Sequence, residues 1–441
     1  MKVVILSAGA AGRYCGTCLH DNTLAAAMLK AGEEVLLVPT YTPLRTDEAS
    51  VSQSRVFFGG VNVYLQEKSS LFRHTPWFLD KLLDSPRLLS WLSRRSSSMA
   101  VDKLGGLTVS TLQGEHGHQS KELKKLVRWL ADEVQPDVIH LSNAMLVGAA
   151  HELRRTLHVP LVCALSGEDI FIEQLKEPHY SQARELMRER SQEIDAFIAL
   201  NRYFADFMID YLKVDPAKVH VIRHGLNLEG HGAVRRTETR AEVVVGYFGR
   251  IATEKGLHHL VEAVALLRAD ASLPPLRLRV AGYKSAGDKP YFQTILQRIK
   301  QAGLEDRFEH CGELDRAGKI AFLQSLDVMS VPTVYHESKG IAVLEGMANC
   351  VPMVLPAHGT FPEMIEDTGG GILHEPENPQ DLAAKLKRLI QDRQLRAELG
   401  ARGEAAIRQR YTAEEMARQT MELYRRLVEP RRDASPVAGK A

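Results

Sequence analysis

The chain has 441 residues, 44% of them hydrophobic and 25% charged, with a formal net charge of +1. That length exceeds a single ordinary core and predicts two domains, while the composition argues against a disordered chain, a collagen or a coiled coil. Basic residues gather only in short clusters such as Arg94-Arg95 and Arg431-Arg432, which speaks against duplex nucleic acid as a partner.

In chain order, short β-branched runs alternate with longer amphipathic stretches, the period switching of βαβ units around parallel sheets, so the predicted class is α/β. Strands are expected at Val3 to Leu6, Glu34 to Val38, Asp137 to Leu141, Val159 to Leu165, Ala196 to Leu200 and Val219 to Arg223. A second series is expected at Val243 to Phe248, Leu276 to Ala281, Arg307 to Cys311, Val328 to Val331, Pro352 to Leu355 and Gly371 to Leu373. Between them, Asn227 to Ala241 is polar and aperiodic and marks the boundary between residues 1–230 and 241–411.

The alternation lapses from Tyr41 to Gln119, longer than a βα connection needs, so an insertion is expected over about 42–119. Trp77, Phe78, Leu82, Leu83, Leu88, Leu89, Trp91 and Leu92 recur there at roughly helical spacing beside Arg73, Lys81, Arg87, Arg94 and Arg95. Two readings fit: a helical pair packed on the first domain, or a basic amphipathic surface facing an anionic lipid or acceptor. The last helix, Ala413 to Val428, carries Met416, Met421, Leu423, Tyr424 and Leu427 on one stripe and is expected to return to the first domain, with a disordered tail from Pro430.

Five cysteines, Cys15, Cys18, Cys163, Cys311 and Cys350, are few and odd in number, which reads as reduced thiols. No apolar run reaches about 18 residues and the first strand follows one lysine. The expectation is a cytoplasmic protein without signal peptide or span, with peripheral contact at the inner membrane surface as the alternative the insertion allows.

Two segments carry the chemistry. In PTVYHESKGIAVLEGMANCVPMVLPAHGTFPE a strand ends, a loop carries Glu337, Gly340 opens a helix, and Glu345 follows with seven residues between the acids. A helix start offers free N–H groups, so Gly340, Ile341 and Ala342 are placed to bind a pyrophosphate. Glu345 then lies beside that anion, within reach of ribose hydroxyls, and Glu337 faces the hydroxyls of a transferred sugar. The second segment, Gly249-Arg250-Ile251-Ala252-Thr253-Glu254-Lys255-Gly256, joins a strand to a helix. Its two cations stand at a strand's carboxyl end, where open α/β sheets bind ligands, and can share one diphosphate. No acid cluster suited to Mg²⁺ stands out, so no metal and no other cofactor are expected.

Together these segments, with Cys311-Gly312-Glu313-Leu314, SLDVMSVPT, HGTFPE, the glycines at Gly369 to Gly371 and the closing YTAEEMARQTMELYRRL, resemble the retaining GT-B glycosyltransferases of glycosyltransferase family 4, the glycosyl transferases group 1. The resemblance implies two Rossmann-like domains facing across a cleft and a retaining, metal-independent transfer from a nucleoside-diphosphate sugar to an acceptor. Arg250 and Lys255 would hold the diphosphate, Glu345 the ribose and Glu337 the sugar, with the base on backbone near Leu314. No side-chain nucleophile is demanded; the leaving phosphate takes the acceptor's proton.

The first domain departs from that pattern. In place of a paired-glycine loop it reads SAGAAGRYCGTCLHDN, so Gly12 and Gly16 are approximate counterparts only. The family's His-Gly-x-Asp appears as Ser166-Gly167-Glu168-Asp169, leaving Glu168 and Asp169 as acceptor ligands or as caps of the next helix. His224 stands where relatives carry asparagine, and His20 and Asp21 are further acceptor-side candidates. Cys15-Gly-Thr-Cys18 could be a redox pair or half a metal site, but with no second CxxC and no thioredoxin unit that would explain the remaining domains, a purely structural role is the favoured reading. A dinucleotide oxidoreductase fails because Ser7 takes the first glycine of the fingerprint and Leu37-Val38-Pro39 ends without an acid. A nucleotide-sugar epimerase of the same architecture and a catalytically idle sugar-binding relative remain the alternatives.

Overall fold

The computed structural model describes residues 1–9, 15–53, 56, 104–232 and 242–434, the side chains of 430–434 excepted. Gly12, the aromatic and basic residues singled out from Arg73 to Arg95, and most of the linker before Ala241 lie outside the described residues. The chain divides into two units, Met1–Gly225 with Ala413–Ala441, and Leu226–Thr412.

The first unit holds β1 (Lys2–Ser7), β2 (Glu34–Pro39), β3 (Val138–Leu141), β4 (Leu161–Ala164), β5 (Ala196–Ala199) and β6 (Val219–Val221). They form one parallel sheet in the order β2-β1-β3-β4-β5-β6. Alternate residues face opposite layers. Val3, Ile5, Val138, Val162 and Ile198 join the core that contains Leu24 and Met28 of the helix Gly16–Lys30, while Val4, Leu6, Ile139, Leu141 and Phe197 join another with Leu112, Leu126 and Met208. Both faces are covered, which is why these strands read as unbroken apolar runs.

The closing helix belongs to this unit. It buries Met416, Ala417, Met421, Leu423 and Tyr424 in the same core as Val3 and Ile5, and the Tyr424 hydroxyl lies 2.5 Å from His140 Nδ1. It runs over Ala413–Ala434, six residues beyond the expected end at Val428, so residues 430–434 of the expected tail are helical. The backbone helix continues through Pro430, whose missing N–H removes one i→i−4 bond without ending the helix.

The second unit holds β7 (Val243–Phe248), β8 (Leu276–Ala281), β9 (Phe308–Gly312), β10 (Val328–Met329), β11 (Met353–Pro356) and β12 (Gly371–His374). Its parallel order is β12-β11-β10-β7-β8-β9. The strand order reverses between β7 and β10: from β7 the chain builds outward through β8 and β9, and from β10 outward through β11 and β12. The crevice at the carboxyl ends of those two strands is where such sheets bind ligands. The two chemical segments of the sequence begin there, Gly249 to Gly256 after β7 and Ser330 to Gly340 after β10. All twelve strands expected from the sequence are present, within three residues at either end. Among the described residues no helix is long and apolar enough to cross a membrane.

Candidate active site

Three neighbouring strands of the second unit end in glycine. Gly249, Gly282 and Gly312 follow or close β7, β8 and β9 with φ of +156°, +142° and +72°. A Cβ on Gly282 would lie 1.9 Å from the Gly249 carbonyl oxygen, so the loops touch backbone to backbone and leave an edge without side chains. Ile251 donates its amide to Tyr283 O at 2.9 Å, and the buried Tyr247 donates its hydroxyl to Arg250 O at 2.7 Å, fixing the loop that carries the cations.

Thr253–Lys255 forms a single 3-10 turn, and Gly256 (φ +71°) then caps the helix Leu257–Arg268. A side chain at Gly256 would meet Pro332 O at 1.7 Å. The close approach presses the loop after β7 against the loop after β10, where Val334 also donates to Glu254 O at 2.9 Å. Lys255 consequently meets a residue 82 positions away: its Nζ lies 2.6 Å from Glu337 Oε2. Tyr335 completes the cluster, donating its hydroxyl to the same Glu337 oxygen at 2.6 Å and standing against Lys255 Nζ. The Lys339 amide donates to Glu337 Oε1 at 3.2 Å. Burial by itself would raise the Glu337 carboxyl, but the Lys255 charge and these hydrogen bonds prevail and hold it at about 2. Burial, then the Glu337 charge, pushes the Tyr335 phenol well up.

Arg250 is half exposed, paired with Glu254, and its Nε lies 3.7 Å from Asp288 Oδ2. Gly340 takes the left-handed conformation (φ +66°) at the start of the helix Ile341–Met347, and its carbonyl accepts from Val343 and Leu344 at 2.9 and 3.1 Å. The N–H groups of Ile341 and Ala342, at the start of the first turn, have no acceptor within the helix itself and so can meet an anion. Glu345 is buried on that helix and pairs with Lys319. Each cation expected at the diphosphate, Arg250 and Lys255, therefore rests on a carboxylate. An incoming diphosphate must share or displace those partners. Leu314 follows β9, half-buried against the core.

In the first unit the sheet order turns at β1, between β2 and β3, and the acceptor-side candidates come from the loops and first helical turns that follow its strands. Gly16 is the first residue of its helix, whose N-cap, Cys15, makes no side-chain cap. His20 and His224 are buried with their Nδ1 atoms 2.9 Å apart. Asp21 accepts from Ser7 Oγ at 2.6 Å, and Thr17 donates to Ser166 Oγ at 3.3 Å. Glu168 makes no side-chain cap of the helix that follows it; its two oxygens accept the amides of Ala144 at 3.1 Å and Ser166 at 2.7 Å. The carboxylate braces two loops. Asp169 is half-buried and opens the helix Asp169–Ile172. Neither Cys15 nor Cys18 is joined in a disulfide.

Sequence reasoning passed over Tyr335 and Lys319. Lys319 did leave a signal, since it occupies the apolar stripe position before Phe322 and Leu323 on the helix Arg316–Gln324. Tyr335 left none, because its partners are set by loop contact. Among the described residues no group of three or more His, Cys, Asp or Glu side chains is arranged to hold a metal.

The two six-stranded parallel sheets, one in each unit, with the last helix assigned to the first, define the two-domain GT-B fold. Solved structures agree: sucrose-phosphate synthase from Thermosynechococcus elongatus aligns at TM-score 0.72 and 18% identity over 98% of this chain and 100% of that one. Anabaena HepE in complex with UDP aligns at TM-score 0.67 and 20% identity over 97% and 100%. The family model described as Glycosyl transferases group 1 matches residues 235–406, and that of Glycosyltransferase Family 4 matches residues 109–229. The chain belongs to this family of group 1, family 4 glycosyltransferases.

Among curated relatives, the D-inositol 3-phosphate glycosyltransferase of Kineococcus radiotolerans is 30% identical over 51% of this chain and 55% of its own length. The 2-deoxystreptamine glucosyltransferase of Streptomyces kanamyceticus is 31% identical over 42% and 43%. The chain thus spans about half the length of these two. It spans more of the D-inositol 3-phosphate glycosyltransferase of a Nocardioides species, at 25% identity over 83% of this chain and 85% of the relative.

Proposed function

We propose that this chain is a retaining glycosyltransferase that moves a sugar from a nucleoside-diphosphate sugar to an acceptor without a divalent metal. The observation that carries the reading is the Lys255–Glu337 pair at 2.6 Å, which joins a cation suited to phosphate and an acid suited to sugar hydroxyls at the switch point of one sheet. The UDP complex of the similarly folded HepE points to the same class of donor.

In this reading Arg250 and Lys255 bind the diphosphate together with the amides of Gly340, Ile341 and Ala342, and Gly249 lets the phosphates approach the backbone. Glu345 accepts from the ribose, Glu337 from the sugar, and the base rests near Leu314. The bond from the anomeric carbon to the diphosphate oxygen breaks, and the acceptor oxygen bonds to that carbon on the same face. The acceptor's proton passes to the departing diphosphate. Charge growing on the leaving oxygens meets fixed cations, which lowers the barrier. Asp169 and the His20–His224 pair are the acceptor-side candidates, with Glu168 as their brace and Gly16 at the helix start.

The test is incubation with UDP-, GDP- and ADP-sugars, each with and without acceptors that include D-inositol 3-phosphate and 2-deoxystreptamine. Nucleoside diphosphate released only with acceptor, in a product of unchanged anomeric configuration, is the expected result. Isomerised sugar without acceptor would instead establish an epimerase, and binding without any turnover an idle relative.

A further inference from the structure

Lys319 is 4% exposed and its ammonium is paired with Glu345, whose side chain is 6% exposed. It sits on the face of its helix that also buries Phe322 and Leu323. A buried ion pair contributes little net stability, and well-packed apolar residues of like volume often do as well or better, so core packing does not explain a lysine there. Glu345 is held at its backbone too. Its carbonyl accepts from Asn349 Nδ2 at 2.8 Å, and Asn349 in turn bonds His231 Nδ1 at 2.8 Å and the Gly232 amide at 3.1 Å. The helix end is fixed from one side and the carboxylate from the other.

We infer that Lys319 is a positioning residue for nucleotide recognition: it clamps one oxygen of Glu345 so that the carboxylate meets the ribose of a nucleoside diphosphate in a single orientation. This rests on the ribose role proposed for Glu345. The lysine also supplies counter-charge. A carboxylate next to a helix start that must receive a diphosphate would repel it, and the buried ammonium cancels that repulsion where solvent screening is weakest. Lys319 touches the ligand only through Glu345.

Calorimetric titration with UDP, GDP and ADP identifies the nucleotide that binds most tightly, and the same titration is then run with its 2′,3′-dideoxy counterpart. In the unaltered protein, loss of the ribose hydroxyls costs about tenfold or more in affinity, as expected for hydrogen bonds to a charged group. In Lys319→Met that ratio falls to within about twofold, and Lys319→Gln, which still donates to Glu345, recovers part of it. A general loss of structure would weaken both ligands alike and leave the ratio standing, so an unchanged ratio in Lys319→Met overturns the inference.

Should Lys319→Met fail to fold, the pair Glu345→Gln and Glu345→Gln/Lys319→Met carries the test without a buried unpaired carboxylate. The ratio of nucleotide to dideoxynucleotide affinity is expected to agree within about twofold between the two, and a ratio that falls further in the double variant overturns the indirect role. If no nucleotide binds the unaltered protein, the proposed function itself is overturned. If nucleotides bind without ribose discrimination, only the Glu345 assignment and the inference built on it are lost.

Discussion

The backbone of Glu337 rests on Gly359. That glycine has φ of +60°, and a Cβ placed on it would lie 2.7 Å from both the nitrogen and the oxygen of Glu337. The next residue, Thr360, donates its amide to the Glu337 carbonyl at 2.8 Å, and His358 Nε2 meets Thr333 O at 2.9 Å. The HGTFPE segment is therefore a bracket under the loop that carries the acid, and its glycine is required by close approach as well as by backbone conformation.

Gly359→Ala is expected to cost about 1–2 kcal/mol from the left-handed conformation alone, with more from the contact with Glu337. Because the displaced loop carries the acid, turnover with a nucleotide sugar should fall by about tenfold or more. Thermal unfolding and initial rates check both; a variant with unchanged rate would show that Glu337 needs no support from this side.

Tyr335→Phe removes one of the donors that hold Glu337. Loss of a hydrogen bond to a charged group, about 1.5–3 kcal/mol, predicts a turnover about tenfold lower or worse, with nucleoside diphosphate affinity changed by less than about threefold. Separate measurement of kcat and diphosphate binding decides it. An equal loss in both would place the tyrosine on the diphosphate rather than on the acid.

Arg250→Ala and Lys255→Ala are each expected to remove most activity, since a guanidinium and an ammonium meet the charge of the departing diphosphate. EDTA should leave the rate of the unaltered protein unchanged. A requirement for added Mg²⁺ would contradict the metal-free route.

The Glu337 carboxyl stands at about 2 in the folded chain against an ordinary 4.5, because the Lys255 charge and its hydrogen bonds outweigh burial. A group depressed in this way favours the fold above its unfolded value, by about 3 kcal/mol here, and that contribution drains away as pH falls from 4.5 toward 2. Urea unfolding should therefore show Glu337→Gln well below the unaltered protein at pH 7, and the gap should narrow through this window. A gap independent of pH would mean that the carboxyl is not depressed.

His140 titrates in the opposite charge sense. Burial holds it near 4, below an ordinary 6.5, so the unfolded chain takes up a proton that the folded one refuses. Stability should fall as pH drops from 6.5 to 4, by about 1.4 kcal/mol per pH unit from this group. Tyr424→Phe, which removes the hydroxyl 2.5 Å from His140 Nδ1, should cost about 1 kcal/mol, and Tyr424→Ala about 3–5. Denaturant unfolding followed across pH measures the slope and both variants.

Much of the molecule was legible in its residues. The unbroken apolar runs of Val3 to Leu6 and Val243 to Phe248 announce parallel strands buried on both faces, and the amphipathic stretches between them supply the covering helices, so class and strand order in the chain followed from periodicity. The placement of Arg250, Lys255, Glu337 and Glu345 near strand ends followed from the switch between the two periods. The closing helix was legible as a stripe of Met416, Met421 and Tyr424, while its continuation to Ala434 was not, because Pro430 and the loss of apolar residues after Val428 both read locally as a stop.

What tertiary structure alone decided is who meets whom. Glu168 and Glu337 are the same residue type, yet one is turned onto two backbone amides and the other onto Lys255 and Tyr335. The pairing of Lys319 with Glu345 spans 26 residues, and that of His20 with His224 spans 204. Hydrophobic periodicity is a property of neighbouring residues and survives in the sequence; the partner of a buried charge is set by which loops the sheet order brings side by side, and only the folded chain contains that.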